Sequence, residues 1–349
     1  MRKNRVYQEE INSILTEPYK WEEFRNKTVL LTGASGAIGQ VIVDVIMKLN
    51  REHNYCCQMI AVSRNSEKAK RIFSDYWKDN CFTYFSYDIT EEINIKQKID
   101  YIIHAASNTH PLLYAKDPIG TITANTLGTY QLMKLAVQND AEFIFLSSVE
   151  IYGENLTGEG KFKENDMGYI NCATLRAGYP ESKRVAESLC YAFSQQEGAL
   201  FKIVRLARVY GGTISREDSR AVAQFFHNGL NRENIVLKSE GKQLYSYVYV
   251  MDCVSGIFAV MLNGKNSEVY NIAGTDSTIT LYELAQLIAK EFGVSVVRDL
   301  PDKIEAAGFS KATCAVLDNH KLMSLGWKEK TTIEMGIHRV KEQLEDSYF

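Results

Sequence analysis

A tyrosine and a lysine four residues apart are the side chains best suited to chemistry in this sequence. They are Tyr179 and Lys183 of the segment YPESK. On a helix, side chains at i and i+4 share one face, so the two groups would lie side by side. A lysine ammonium beside a phenol favours the phenolate and lowers the pKa of the phenol. The pair is therefore predicted to take a proton from a substrate hydroxyl while hydride leaves.

Two further polar residues precede this pair at the end of an apolar segment. FIFLSSVEIYG has the composition of a buried strand, and Ser148 lies where that strand would end. Its hydroxyl is predicted to bond the same substrate hydroxyl. Glu150 would point to the same side of an extended chain as Ser148 and serve as a base in a second step. The alternative for Glu150 is a charge at a strand end that faces water.

A glycine-rich turn separates the first apolar segment from the first long helix. TVLLTGASGAIGQVIV places Gly33, Gly36 and Gly39 between the two elements. Such a turn lets the backbone approach a pyrophosphate closely, and the start of the helix then faces the anion. The sequence therefore predicts a dinucleotide site. Besides the three glycines, the turn supplies Ser35, Ala37 and Ile38 as candidate contacts.

The end of the second predicted strand bears on which dinucleotide binds. An acidic residue there would hold the ribose 2′-hydroxyl of NAD, but the segment reads Ser63, Arg64, Asn65. Arg64 could instead pair with a 2′-phosphate. The sequence thus favours NADP slightly over NAD, and the alternative is a solvated Arg64 beside NAD.

Strands and helices alternate over the first two thirds of the chain, which predicts the fold class. Six apolar segments are predicted strands: KTVLLTG, MIAVSR, FTYFSYDI, DYIIHAAS, FIFLSSVEIYG and FKIVRLARVYG. This alternation predicts an α/β, Rossmann-type, doubly wound parallel sheet, followed by a smaller mixed α/β C-terminal substrate domain. The predicted segments are a helical extension (1–26), a dinucleotide-binding domain (27–212) and mainly a substrate domain (213–349), with 241–265 returning to the dinucleotide-binding part.

The composition narrows the class of protein and its surroundings. The 349 residues carry a net charge of -3, which gives no reason to expect a nucleic acid or a membrane surface as partner. No segment reaches the roughly 20 apolar residues of a membrane span, and we expect no export signal. The seven cysteines include no CxxC pair, so neither a metal site nor a disulfide framework is expected, and a reducing cytoplasm fits. The first helix is expected to pack on the domain through Val6, Ile11, Ile14 and Leu15.

The motifs together resemble the extended short-chain dehydrogenase/reductases, within them the NAD-dependent epimerase/dehydratase family, and most closely its UDP-glucuronate decarboxylase branch. The resemblance rests on the spacing TGxxGxxG and on HAASNTHPLLYAKDPIGTITANTLGT, LSSVEIYGE, RAGYPESKRVAESL and GKQLYSYVYVMDCVSG. It implies further cofactor contacts, besides those of Tyr179 and Lys183, from Asp88, Ile89, Ala105, Ala106, Ser107 and Asn125.

The resemblance also implies a reaction and an assembly. Ser148, Tyr179 and Lys183 would oxidise C4 of the sugar in a nucleotide sugar, and Glu150 would assist the later decarboxylation or elimination. The bound NAD(P)H would then be able to return its hydride, which would leave no net redox change. Homodimers would form through the helices around Asn125 and Tyr179.

The sequence departs from the decarboxylases where the diphosphate and sugar acid would bind. Tyr245 replaces an arginine, Ala315 lies near the place of a second arginine, and Arg208 replaces an asparagine. A lost arginine is not a neutral change at a phosphate site, so the pocket is expected to accept a different nucleotide sugar or an unusual carrier. The predicted substrate-binding residues are Arg208, Tyr245, Asn171 and Arg176.

Three functions remain open at this point. The first is a lyase or epimerase that recycles its bound cofactor. The second is a net 4-ketoreductase or dehydrogenase that consumes NAD(P)H or NAD(P). The third is a catalytically silent, cofactor-binding sensor, which would be expected to have lost part of the set Ser148, Tyr179 and Lys183, yet all three are present.

Overall fold

The computed structural model describes residues 2–109, 111–155, 160–299 and 313–348. The strands are β1 (Thr28–Thr32), β2 (Gln58–Ser63), β3 (Phe82–Ser86), β4 (Tyr101–His104), β5 (Glu142–Ser148), β6 (Phe201–Leu206), β7 (Arg208–Tyr210), β8 (Ile235–Leu237), β9 (Leu244–Tyr249), β10 (Glu268–Ile272), β11 (Thr278–Thr280), β12 (Val296–Arg298) and β13 (Cys314–Ala315). The α-helices are α1 (Arg5–Leu15), α2 (Ala37–His53), α3 (Ser66–Ile72), α4 (Pro111–Lys116), α5 (Pro118–Asn139), α6 (Gly178–Glu197), α7 (Ala221–Leu230), α8 (Val250–Asn263), α9 (Leu281–Phe292), α10 (His320–Met323) and α11 (Ile333–Tyr348). Short 3-10 helices span Trp21–Phe24, Val149–Tyr152 and Leu175–Ala177.

Seven parallel strands form the large sheet, in the order β10, β6, β5, β4, β1, β2, β3. The strands near its centre are continuous buried runs, as in β5, because helices cover both faces. Alternate side chains enter two separate cores: Leu30 of β1 joins one, whereas Val29 and Leu31 join the other. The predicted doubly wound, Rossmann-type sheet is confirmed.

Different helices close the two cores. On one face, Leu132 of α5 and Ala186 of α6 pack in the same core as Leu30. On the other face, Val41 of α2 and Ile257 of α8 complete the larger core. The two layers leave the carboxyl ends of the strands open at one edge of the sheet, where ligands bind in folds of this kind.

The predicted strand FKIVRLARVYG is two strands in the structure, and the prediction of one strand was wrong. Its first half, β6, lies in the large sheet, and its second half, β7, pairs in parallel with β9 of a smaller sheet ordered β11, β9, β13. The break is at Ala207, whose backbone N–H donates to the Ile272 carbonyl at 2.9 Å. Because both halves are apolar, hydrophobicity alone does not reveal that the strand changes sheets.

The predicted segments 27–212 and 213–349 therefore do not correspond to two spatially separate parts of the structure. Strand β7 lies within the first segment but belongs to the smaller sheet, and β10 lies within the second but is an outer strand of the large sheet. The segment 241–265, predicted to return to the dinucleotide-binding part, contributes β9 to the smaller sheet and α8 to the packing against α2 and β6. As boundaries of domains, the three ranges remain predictions.

The N-terminal helix packs on the rest of the chain through Ile11 and Ile14, and Val6 and Leu15 are partly buried. Two polar side chains share the buried face. Tyr7 donates to the Asp44 carboxylate at 2.6 Å. The Glu10 carboxylate accepts hydrogen bonds from Tyr249, Arg339 and Gln343, which belong to β9 and α11.

Three expected absences can be compared with the part of the chain that the structure describes. No helix there is long and apolar enough to cross a membrane. No cluster of three or more histidine, cysteine or acidic residues there could hold a metal ion. All seven cysteines are described, and each is a free thiol.

Candidate active site

One cavity of about 1390 Å³ lies along the carboxyl edge of the large sheet and extends to the smaller sheet. Its walls include the glycine-rich turn after β1, the end of β5, the start of α6 and residues of β7 and β9. All of the predicted cofactor, catalytic and substrate residues line this cavity except Asn125 and Asn171.

The glycine-rich turn has the geometry of a close backbone approach. Gly33 has a positive φ of 70°, and a Cβ there would lie 2.7 Å from the Ala105 carbonyl and the Ala106 nitrogen. A Cβ on Gly39 would lie 2.4 Å from the Gly33 carbonyl oxygen. Gly36 is the N-cap of α2 and offers no side chain to its first N–H groups. Along with the three glycines, the cavity wall includes Ser35, Ala37 and Ile38.

The predicted contacts for the adenosine half lie further along the same wall. These are Arg64, Asp88, Ile89, Ala105, Ala106 and Ser107. Strand β3 ends at Ser86, so Asp88 lies in the turn after it and not, as predicted, at the strand end. Its carboxylate accepts hydrogen bonds from the N–H and the hydroxyl of Thr90 at 3.0 and 2.8 Å. The backbone hydrogen bond is the main cause of the lowered pKa of Asp88.

Arg64 extends from the end of β2, and no carboxylate accompanies it on that strand end. Its guanidinium donates to the Asn108 side-chain oxygen at 3.3 Å. Asn65, the next residue, uses its side chain to cap α3. The carboxylate of Asp88, in the turn after β3, is close enough to interact electrostatically with Arg64.

Two predicted ligand contacts do not reach the cavity. Asn125 is fully buried between α5 and α6, where its amide donates to the Ser182 hydroxyl at 2.9 Å. Asn171 is exposed, and its side-chain oxygen accepts a hydrogen bond from the Ala173 N–H at 3.1 Å. Neither residue lines the cavity as the structure describes it, so direct contact of Asn125 with the cofactor and of Asn171 with the substrate is not supported.

Ser148, Tyr179 and Lys183 converge on one part of the cavity wall. Ser148 ends β5, Tyr179 lies in the first turn of α6, and the Ser148 hydroxyl is close enough to the phenol to favour its ionised form. Lys183 is one turn later and almost fully buried. Its ammonium donates to the Leu146 carbonyl at 2.7 Å and lies 4.5 Å from the centre of the Phe145 ring. The helical spacing thus places Lys183 one turn after Tyr179, where it packs against β5.

Burial, and not the lysine, dominates the acidity of the tyrosine. The pKa of Tyr179 is raised, mainly because the phenol is buried, while the nearby Ser148 hydroxyl and the charge of Arg176 act in the opposite direction. Burial lowers the pKa of Lys183 to about 7. The predicted lowering of the phenol pKa by Lys183 is therefore wrong for this arrangement, because the ammonium is itself destabilised by burial.

The Glu150 side chain does not project from an extended strand, and it does not lie on the outer surface of the protein. It lies in the 3-10 helix Val149–Tyr152, which follows β5 and is capped by the Ser148 hydroxyl. One carboxylate oxygen is 2.9 Å from Arg176, and the other is 3.4 Å from Arg208. The backbone at Glu150 is not extended as predicted, but Glu150 and Ser148 line the same cavity.

Arg208 and Tyr245 form a stacked pair on neighbouring strands. The Arg208 guanidinium carbon lies 3.4 Å from the centre of the Tyr245 ring. Tyr245 is almost fully buried, and it pairs with Ala315 of β13. Ala315 is the residue that lies near the place of the second arginine of the decarboxylases. Both Arg208 and Tyr245 line the cavity.

Sequence reasoning missed several residues of the cavity wall. Tyr114 stacks on the Tyr179 ring with centroids 4.9 Å apart and an angle of 29°. Arg220 is bound to Asp218 at 2.6 Å, and Tyr247 lines the same cavity. Tyr114 could have been found, because it lies in HAASNTHPLLY, one of the segments that carry the resemblance. No pattern marked Asp218 or Arg220, which lie in the connection between β7 and α7.

Replacing Lys183 with methionine is expected to remove a pH-dependent part of the stability. The lysine pKa is about 7 in the fold and 10.5 when unperturbed, so between these values the unfolded chain binds a proton that the folded chain lacks. Wild-type stability therefore rises with pH across this window and falls as pH drops towards 7. Relative to Lys183→Met, the wild-type free energy of unfolding should gain up to about 1.4 kcal/mol per pH unit.

Denaturant unfolding at two pH values inside this window checks the difference in slope. Lys78→Met is the control, because Lys78 is exposed and its loss should leave the wild-type slope unchanged. Equal slopes for the wild type and Lys183→Met would contradict the burial of a titrating ammonium.

Comparisons with known proteins agree with this geometry. The sequence model of the NAD dependent epimerase/dehydratase family matches residues 29–273. UDP-glucuronic acid decarboxylase 1 of Danio rerio is 30% identical over 316 residues, which cover 90% of this chain and 71% of the relative. UDP-glucuronic acid decarboxylase 6 of Arabidopsis thaliana is 29% identical over 323 residues, covering 91% and 88%.

Solved structures share the fold at lower identity. The UDP-glucose 4-epimerase of Thermotoga maritima superposes with a TM-score of 0.79 at 23% identity, covering 92% of this chain and 100% of the other. The UDP-glucuronic acid 4-epimerase of Bacillus cereus, solved with UDP-glucuronic acid and NAD, has a TM-score of 0.78 at 20% identity with the same coverage. The glycine-rich turn, the Ser–Tyr–Lys cluster and the family match lead to one conclusion: the chain belongs to the NAD dependent epimerase/dehydratase family.

Proposed function

We propose that this protein oxidises C4 of the sugar of a nucleotide sugar with a bound nicotinamide dinucleotide, and then decarboxylates, eliminates or epimerises the product. One observation carries the proposal: Ser148, Tyr179 and Lys183 lie together in the cavity that also contains the glycine-rich turn. The names of the relatives describe decarboxylases and 4-epimerases of nucleotide sugars, which supports this class of substrate.

Each residue of the cluster has a role that follows from its position. The bound nicotinamide supplies the acceptor of the hydride. The Tyr179 phenol first passes its own proton to the neutral amine of Lys183, and the resulting phenolate then takes the proton of the sugar hydroxyl, which the nearby Ser148 hydroxyl holds in line. Lys183, with a pKa of about 7, can exchange a proton close to neutral pH from beneath the tyrosine. Glu150 is the carboxylate available for the later step, with its position fixed by Arg176 and Arg208.

The charge of the cavity supports a ligand with several phosphates. The chain has a net charge of -3, yet among the residues that the structure describes, eight lysines and arginines line this cavity against five acidic residues. The basic residues are Arg64, Lys68, Arg176, Lys183, Arg208, Arg216, Arg220 and Lys238. A cleft lined mainly by one sign of charge concentrates ligands of the opposite sign. A dinucleotide and a nucleotide diphosphate sugar both carry negatively charged phosphates, so both have the charge that such a cleft attracts.

Replacing Tyr179 with phenylalanine is expected to lower turnover by roughly 100-fold or more, because the proton acceptor is lost. Turnover is measured on a panel of UDP-, GDP-, CDP- and dTDP-sugars by NMR of the products. Tyr191→Phe, the same change on the outer part of the same helix, should be active. Activity of Tyr179→Phe equal to wild type would rule out the proposed chemistry.

The same assay separates the proposed function from a net oxidoreductase. With a recycled cofactor, the absorbance of reduced nicotinamide is constant during turnover. A steady change in that absorbance, in proportion to product, would establish a net ketoreductase or dehydrogenase instead.

We propose NADP as the slightly preferred cofactor, on the strength of Arg64 and the lack of a carboxylate at Ser63 and Asn65. Arg64→Ser is expected to weaken NADP binding about tenfold and NAD binding much less, since only NADP has the 2′-phosphate that an arginine would bond. Calorimetric Kd values for both cofactors check this, with Arg71→Ser on α3 as the control. Tighter binding of NAD than of NADP to the wild type would show that Arg64 is only a solvated neighbour.

We propose a homodimer formed across the outer face of α5 and α6. Large apolar side chains are exposed there, with Ile119 at 75% and Leu127 at 49% exposure on α5, and Val185 at 47% on α6. An apolar face of this kind typically marks an interface. Leu127→Glu is expected to halve the mass measured by light scattering, whereas Leu200→Glu, equally exposed but outside this face, should not. A monomeric wild type would exclude the dimer.

A further inference from the structure

Arg2, in the N-terminal extension that precedes the residues matched by the family model, binds two helices of the dinucleotide-binding part. Its Nε donates to the Asp44 carboxylate of α2 at 2.6 Å, and its Nη1 donates to the carbonyl of Ile72 at the end of α3. The guanidinium carbon also lies 5.1 Å and 5.4 Å from the ring centres of Phe73 and Tyr76, which follow α3. Arg2 therefore joins the middle of α2 to the end of α3.

Helix α3 has only seven residues, and a helix this short has little stability of its own. It therefore depends on groups that satisfy its ends. At its start, the Asn65 side chain accepts a hydrogen bond from the Lys68 N–H at 2.9 Å. At its end, the Ile72 carbonyl is one of the last four, which have no N–H partner within a helix. Arg2 supplies a charged donor for this carbonyl, and charged donors form stronger hydrogen bonds than neutral ones.

Helix α3 forms part of the cavity wall where the adenosine half of a dinucleotide is expected. The residues of this wall that lead into α3 or belong to it are Arg64, Asn65, Lys68 and Ile72. The glycine-rich turn at the start of α2 lines the same cavity. The bonds of Arg2 to Asp44 and to Ile72 thus connect two helices that both contribute to the cofactor end of the cavity. The relative position of α2 and α3 therefore shapes this end.

The ion pair of Arg2 with Asp44 is buried, which restricts the movement of both side chains. Their side chains are only 13% and 3% exposed. The hydroxyl of Tyr7 donates to the other oxygen of the same carboxylate at 2.6 Å, and the Tyr76 phenol is close enough to interact with it. Among the described residues of the N-terminal extension, Arg2 is the one that donates a hydrogen bond to α3. Tyr7 and Arg2 therefore share Asp44 but differ in their link to α3.

We propose that Arg2 is a positioning residue for the cofactor: it caps the end of α3, ties that helix to Asp44 of α2, and so keeps the adenosine wall of the cavity in the form that binds a dinucleotide. A dinucleotide binds only those molecules in which this wall is formed, so the apparent Kd rises as the formed fraction falls. The inference rests on the dinucleotide site of the proposed function and on none of the chemistry at Tyr179.

The test replaces Arg2 with methionine, which keeps an apolar stem against the two rings and removes the hydrogen-bond donors. Calorimetric Kd values for NAD and NADP are measured on the full-length protein. Both values should rise about five- to tenfold in Arg2→Met, because α3 without its C-terminal partner is formed in only a minor fraction of the molecules. Backbone amide hydrogen exchange in the peptide that spans α3 should be faster than in the wild type.

Tyr7→Phe is the matched control. It removes the other hydrogen bond that the N-terminal extension donates to Asp44 and leaves the bond of Arg2 to Ile72 in place. This variant is expected to unfold at a lower temperature than the wild type, because a buried bond to a carboxylate is lost. Its Kd values for NAD and NADP and its exchange in α3 should equal those of the wild type. Thermal melting confirms that both variants are folded at the temperature of the titrations.

The outcomes separate the inference from the function on which it rests. Unchanged Kd values in Arg2→Met would overturn the inference and leave the proposed function intact. An equal rise of the Kd values in Arg2→Met and Tyr7→Phe would also overturn it, because it would reflect a general loss of stability. A rise in Arg2→Met without faster exchange in α3 would do the same. If the wild type bound neither NAD nor NADP, the dinucleotide site of the proposed function would fail as well.

Discussion

The passage of the chain from one sheet to the other at Ala207 is the constraint on which the site depends. Leu206 ends in the large sheet beside β5, and Arg208 begins in the smaller sheet beside β9, so a single residue joins the two. Its N–H is bonded to the carbonyl of Ile272 at the end of β10, which fixes where β6 must stop. Because Ser148 is aligned with Leu206, Ser148 and Arg208 both line the same cavity.

Burial then determines the properties of the charged groups gathered there. The ammonium of Lys183 is held by one carbonyl and an aromatic ring, and its pKa falls to about 7. Glu150 is held by two arginines, one of which lies on an aromatic face. The site therefore contains charges whose strength depends on exclusion of water, and a ligand that closes the cavity would increase their mutual effects.

The parts of the fold that were predicted correctly depend on local sequence. The buried strands are continuous apolar runs, Gly33 and Gly39 stand where no Cβ fits, and the spacing of Tyr179 and Lys183 requires only a helix. The parts that were missed depend on packing between distant segments. The break at Ala207 depends on Ile272, and the inward direction of Glu150 depends on Arg176 and Arg208. The burial of Asn125 depends on the contact of α5 with α6, which no spacing within α5 reveals.

The buried carboxylate of Glu10 links early and late parts of the chain. Its partners are Tyr249 of β9 and Arg339 and Gln343 of α11, more than 200 and 300 residues later. Burial raises the pKa of Glu10 to about 7. Burying the charged carboxylate is therefore unfavourable until those partners can form hydrogen bonds with it. During synthesis on the ribosome, Tyr7 of the first helix can meet Asp44 early, whereas Glu10 on the same helix lacks its partners until almost the whole chain is made. Glu10 thus joins the first helix to a strand of the smaller sheet and to the last helix of the described chain.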